Sequence, residues 1–219
     1  MFLPMIRSLT CLSAACALGA VLTAAGCSTP PPGPPGPDYA AQGGAAEVRG
    51  DWDAARRAFG QAVLVADQSA WPAAQRAAMH LHYGRALGVG CYYAEAEREL
   101  SLAYDLDILT GRYRYPALIE LARLSLAQRQ YARSATYFGR AVGSLERAGA
   151  ESKAPYVYAE LLDDYALALG GEGDAEAATR IIDRAAKVRA SVRGAAMAPQ
   201  ATSRTPYGAH CAPLAAEAR

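Results

Sequence analysis

Four stretches of the chain share one helical pattern of large, small and polar positions. They are GDWDAARRAFGQAV from Gly50, CYYAEAERELSLAY from Cys91, RQYARSATYFGRAV from Arg129 and GDAEAATRIIDRAA from Gly173, and they align without gaps. The third position of each is Trp52, Tyr93, Tyr131 or Ala175. A small residue follows three later (Ala55, Ala96, Ser134, Ala178), then a large apolar one (Phe59, Leu100, Phe138, Ile182), then alanine (Ala62, Ala103, Ala141, Ala185). Offsets of 3, 7 and 10 put all four on one face of a helix. The small residues let a neighbouring helix approach closely, and the large one fills the next gap. A partner helix is expected before each stretch. Nine residues ahead of the third position stands another small residue: Gly43, Gly84, Ala122 and Ala166. Three partner helices open near a proline, at Trp71-Pro72, Tyr115-Pro116 and Ala154-Pro155, where a missing N–H costs nothing. Asp51 and Asp174 are placed to cap second helices.

The N-terminus follows a different pattern. Arg7 precedes an uncharged run, Leu9 to Ala25, that closes in the small residues Ala24-Ala25-Gly26 before Cys27. A positive start, an apolar middle and small residues at the end describe a secretory signal peptide; a membrane-spanning helix is the rival reading. Pro30 to Pro37 then holds only proline and glycine. Such a run prefers extended polyproline II and acts as a semi-rigid spacer. These segments divide the chain into a leader over residues 1–26, a tether over 27–38, a helical domain over 39–190 and a tail over 191–219 with no apolar period.

Ala24-Ala25-Gly26-Cys27 resembles the lipobox of bacterial lipoproteins, with Ala24 where that family prefers leucine. The resemblance implies an acylated Cys27, a palmitate-type anchor and, because Ser28 rather than aspartate follows, the periplasmic face of an outer membrane. A plain secreted protein is the alternative. The helical pattern resembles the tetratricopeptide repeat: small, then Gly-x-aromatic, then alanine, then Phe or Tyr, then alanine. Gly50-Asp51-Trp52 carries it fully, and YAELLDDYALALGGEGDAEAATRIIDRAAKVRA resembles the longer kinesin-light-chain type. Trp52, Tyr93, Tyr131 and Ala175 stand 41, 38 and 44 residues apart, longer than the ~34 of the standard unit. The resemblance implies an all-α, right-handed superhelix of three to four helix pairs, whose first helices line a concave protein-binding groove. The groove positions it implies are Arg85, Arg123 and Leu167, and two arginines there suggest an acidic or C-terminal-carboxylate partner.

Composition narrows function more than it names it. The whole chain carries a net charge of +1, and loss of Arg7 with a leader balances acids and bases. That argues against nucleic-acid partners. Cys91 and Cys211 remain after the leader and Cys27 are set aside. In an oxidising compartment they could pair and hold the tail as a strap; otherwise Cys91 packs as a small hydrophobe and the tail is disordered. Catalytic chemistry is hard to find. His80 and His82 are two apart on a helix and do not share a face, so packing or exposure is expected rather than a metal. No nucleophile–base pair can be drawn, and Glu160, Asp163 and Asp164 read as a solvated face. The expected function is therefore a non-enzymatic, lipid-anchored scaffold or assembly factor of the cell envelope. It binds an envelope protein or peptide, without cofactor or metal. A regulator of a cell-wall enzyme, a pilus or secretion component, or a cryptic envelope enzyme are the alternatives.

Overall fold

A computed structural model describes residues 38–111, 115–192, 204–209 and 211. The leader, Cys27 and all of the tether but Asp38 lie outside them. Nine α-helices are described: α1 (Tyr39–Val48), α2 (Trp52–Gln68), α3 (Ala73–Val89), α4 (Tyr93–Thr110), α5 (Tyr115–Ala127), α6 (Tyr131–Arg147), a single turn α7 (Ala150–Lys153), α8 (Pro155–Glu172) and α9 (Ala175–Ser191). Four antiparallel pairs form, α1/α2, α3/α4, α5/α6 and α8/α9, and each packs on the next through α2–α3, α4–α5 and α6–α8. Among the described residues there is no strand. The first pair is complete, although α1 is short and contains Gly43-Gly44. The Asp38 carboxylate starts it by accepting from the Ala41 amide at 2.9 Å.

The small residues lie where the pattern demands them. Gly43, Gly84, Ala122 and Ala166 are all buried. A Cβ on Gly43 would stand 2.8 Å from the Phe59 ring, and one on Gly84 the same distance from Leu100 Cγ. Phe59, Leu100 and Phe138 are at most 2% exposed, and Ala55, Ala96, Ser134, Ala62, Ala103 and Ala141 are buried with them. Ser134, in place of alanine, donates to the Ala122 carbonyl at 2.8 Å, which satisfies its hydroxyl inside the crossing.

Ile182 departs from the frame. It aligns with Phe59, Leu100 and Phe138 yet is 53% exposed. The buried stripe of α9 runs through Ala178, Ala185 and Val188, with Ile181 packed against it. Among the described residues no further helix pair lies on α9, so a large side chain at 182 has no gap to fill.

One turn is repeated inside all four pairs. Gly50, Cys91, Arg129 and Gly173 have φ of 73°, 68°, 58° and 102°, the left-handed region. The next residue's amide reaches back to a carbonyl of the first helix: Asp51 to Ala46, Tyr92 to Leu87, Gln130 to Ser125 and Asp174 to Leu169, at 2.9–3.0 Å. This is the Schellman ending, which satisfies orphan carbonyls and favours glycine at the left-handed residue. Asp51 and Asp174 then cap α2 and α9 by accepting from Ala54 and Ala177. Cys91 and Arg129 hold the same backbone with a Cβ, which is disfavoured by about 1–2 kcal/mol. Glycine's greater freedom in the unfolded chain offsets part of this. Arg129→Gly should therefore raise stability by about 0.5–1 kcal/mol, seen as a melting temperature higher by ~1–4 °C. A lower melting temperature would mean that the Arg129 side chain contributes more than its backbone costs.

Tyr158 ties α8 to the end of α6. It is 1% exposed, and its hydroxyl donates to Glu146 at 3.2 Å. The Arg184 guanidinium sits over its ring at 5.4 Å. Burial pushes the phenol up to about 12. The folded pKa lies above the unfolded one, so the contribution is whole below pH 10 and lost as pH rises toward 12. The loss should be about 2 kcal/mol, and Tyr158→Phe should flatten that part of the alkaline fall in thermal melts. An unchanged slope would show that Tyr158 does not drive it.

Candidate functional site

The first helices of the pairs, α3, α5 and α8, face one groove. The residues beside the small crossing positions point into it, and spacing by three places a second row next to the first. The rows are His82 with Arg85 on α3, Glu120 with Arg123 on α5, and Asp164 with Leu167 on α8.

These side chains form a ladder of alternating charge. Glu47, near the end of α1, meets His82 Nδ1 at 3.0 Å and Arg85 at 3.5 Å. Arg85 is 3.8 Å from Glu120, and Glu120 is 3.8 Å from Arg123. Arg123 donates through Nε to Asp164 at 3.0 Å. Asp164 then meets Arg204 of the tail at 3.2 Å. Asp164 is therefore a buried member of this ladder and not part of a solvated face; it is 5% exposed. Burial raises its carboxyl pKa, against the opposing pull of Arg123 and Arg204. Asp163 does point outward, to Arg189 of α9. Glu160 turns one carboxylate oxygen inward with no hydrogen-bond partner, beside a cavity of about 340 Å³ between α5 and α8 lined by Tyr115, Ile119, Arg123 and Val157.

The three residues expected in the groove are thus not equivalent. Arg85 and Arg123 are joined through Glu120, and their charges are matched from within by Glu47, Glu120 and Asp164. They are not waiting for an acidic ligand. Leu167 is 63% exposed and takes no part in the ladder.

Residues 204–209 of the tail enter the groove. A disulfide joins Cys91, at the end of α3, to Cys211, with 5.8 Å between Cα atoms. Arg204 to Ala209 lies across α8, α5 and α3 as a strap. Arg204 reaches Asp164 and the Glu160 carbonyl. Thr205, 6% exposed, accepts from Arg85 Nε at 2.9 Å. Tyr207 donates its hydroxyl to Glu120 at 2.8 Å. Its ring lies on Gly88, where a Cβ would stand 2.5 Å from a ring carbon, and against Leu124 beside the same glycine. Burial and the Glu120 carboxylate push the phenol pKa well above the usual value. Tyr207–Ala209 forms a turn with Gly208 at φ 76°.

Glu47, Glu120, Thr205 and Tyr207 were not singled out from the sequence. The spacing of three between Glu120 and Arg123, repeated as His82/Arg85, was the available sign. His80 is a packing residue: 2% exposed, with Nδ1 2.6 Å from Glu99 and Nε2 3.5 Å from Asp67. His82 stacks on Phe59 at 4.9 Å. Among the described residues, no group of three or more His, Cys, Asp or Glu is placed to hold a metal ion.

No protein-family model matches the chain, and no curated protein matches it. Among solved structures, BtubC (BKLC) from P. vanneervenii superposes with a TM-score of 0.66, at 16% identity, over 76% of this chain and 67% of that one. Nearly identical TPR-like repeats of a kinesin-light-chain-type protein from P. anserina match at 15% identity and a TM-score of 0.45, over 71% and 94%. The MamA protein matches at 18% identity and 0.34, over 73% and 94%. The last two superpose too loosely to bear on the argument. The stacked helix pairs, their repeated turn and the likeness to BtubC give one fold: an α-solenoid of tetratricopeptide-type helix pairs.

Proposed function

We propose that this protein is a non-enzymatic, lipid-anchored scaffold or assembly factor on the periplasmic face of an outer membrane, whose concave groove binds an envelope protein or peptide. The observation that carries the binding is the strap. A non-helical stretch of polypeptide already lies in the groove, held side chain by side chain through Asp164, Arg85 and Glu120. A surface that takes one such segment has the shape and the polar partners to take another. The anchor is supported by the lipobox resemblance at Cys27 and by the proline tether after it. More than one acyl chain is needed for stable attachment.

Photo-crosslinking tests the groove. In cells carrying the Cys211→Ser form, whose strap is unlatched, a crosslinker at Leu167 should trap a discrete partner, and one at Arg98, on the exposed face of α4, should not. Equal adducts from both positions, or none from Leu167, would overturn the reading. The anchor has its own test. Cys27→Ser should abolish incorporation of a palmitate analogue and leave an unprocessed precursor. Label surviving the substitution would remove the lipid from the proposal.

A further inference from the structure

We propose that residues 204–209 are an internal ligand of the groove, latched by the Cys91–Cys211 bridge, and that the groove's outside partner is a peptide repeating its chemistry. That chemistry is a basic residue, a hydroxyl residue directly after it, a tyrosine two further on, and a small residue next. This rests on the protein-binding reading above and specifies both its ligand and its control.

Each feature is read by a separate group. Asp164 takes the cation of Arg204 at one end of the ladder. Arg85, otherwise facing two carboxylates, gives its Nε–H to the Thr205 hydroxyl. Glu120 takes the phenol proton of Tyr207. Gly88 leaves the space that the ring fills. Gly208 turns the chain at φ 76°, a left-handed conformation that favours glycine. An acidic peptide would meet Asp164 and Glu120 and be repelled.

The latch is accessible, since Cys91 is exposed. A dithiol opens it by exchange. One thiolate of the dithiol attacks a bridge sulfur, and the other cysteine leaves as a thiolate that takes a proton. The second thiol of the dithiol then closes its own ring disulfide and releases the first cysteine as a thiol. Two electrons pass from the dithiol to the bridge. While latched at both ends, the strap competes with any outside peptide at high effective concentration; opening one end lowers it.

The test uses the full chain and a fluorescent peptide of residues 201–209. Three forms are compared by anisotropy: oxidised wild type, wild type in dithiothreitol, and a Tyr207→Ala/Cys211→Ser variant with its groove emptied. The emptied form should bind the peptide at least tenfold more tightly than the oxidised form, with the reduced wild type between. The same peptide with alanine for tyrosine should bind no form. Hydrogen exchange on the wild type, which needs no substitution, should show the strap amides losing protection in dithiothreitol while α3 and α5 keep theirs. Equal peptide binding by oxidised and emptied forms would overturn the latch, as would strap amides unchanged by reduction. No binding to the emptied form, with groove crosslinks still seen in cells, would overturn the internal ligand and leave the scaffold reading standing. Peptide binding without any cellular crosslink would do the reverse.

Discussion

Gly84→Val should unfold the second helix pair or cost at least 3 kcal/mol, and Gly84→Ala should cost about 1–3 kcal/mol. In most helix interiors the alanine change would stabilise by up to about 1 kcal/mol, because glycine is the poorer helix former. Here the added Cβ would lie 2.8 Å from Leu100 Cγ, 2.9 Å from Leu100 Cδ2 and 3.2 Å from the Ala96 carbonyl oxygen. Leu100 and Ala96 are fully buried, so the leucine has nowhere to swing. The carbonyl belongs to the α4 backbone and cannot move without it. Relief requires α3 and α4 to separate, and that opens the layer that also carries Leu87, Leu121 and Leu124. Valine adds two methyl groups to the same space and stiffens χ1 in a helix. Gly44 is the control. It is also inside a helix, but a Cβ there meets nothing within 4 Å. Gly44→Ala should therefore raise the melting temperature while Gly84→Ala lowers it. If both alanine variants gained stability, the close crossing of α3 and α4 would be refuted.

The contrast between these two glycines also shows what a sequence of this kind reveals. Gly43, Gly84, Ala122 and Ala166 repeat because helix crossings repeat, so one residue type at one offset exposes the frame. The core and the helix pairs follow from it. The groove does not obey that logic. Glu120 and Asp164 are polar residues on the face away from the core, which is also how a solvated surface looks. Long-range pairings distinguish the two cases, such as Arg123 with Asp164 across 41 positions and Tyr207 with Glu120 across 87. Arg85 and Arg123 were legible as groove positions by their place after the small residue, but their charges were not legible as already matched. The strap is the extreme case. Thr205 is tied to Arg85 across 120 positions, and nothing near Thr205 in the chain has a period. Ile182 fails in the opposite direction: it repeats the pattern faithfully, yet burial requires a neighbour as well as a residue.

Breaking the Cys91–Cys211 bridge should lower stability by about 2–4 kcal/mol, with the loss concentrated at the C-terminal end of the solenoid. The bridge spans 120 positions, and loop entropy alone would set a ceiling of about 4–5 kcal/mol for such a span. At ~2–4 °C per kcal/mol for a chain of this size, Cys91→Ser should melt about 5–15 °C lower. Cys91 has a second role, as the left-handed residue of its turn. Cys91→Gly loses the bridge but relieves that backbone, so it should recover about 0.5–1 kcal/mol relative to Cys91→Ser. The distribution of the loss follows from the topology. In a solenoid each pair is held only by its neighbours, so the ends fray first. Helices α1 to α3 precede Cys91 and lie outside the closed loop; α4 to α9 lie within it. The last pair has a neighbouring pair on one side alone, α5/α6, and leaves Ile182 uncovered. With the bridge intact, the strap also binds α8 through Arg204 and connects it to α3. Reduction should therefore speed hydrogen exchange in α8 and α9 by more than tenfold, with α1 and α2 little changed. Equal acceleration in every helix would mean that the solenoid unfolds as one unit with or without the bridge, and that the strap adds no coupling between its second and last pairs.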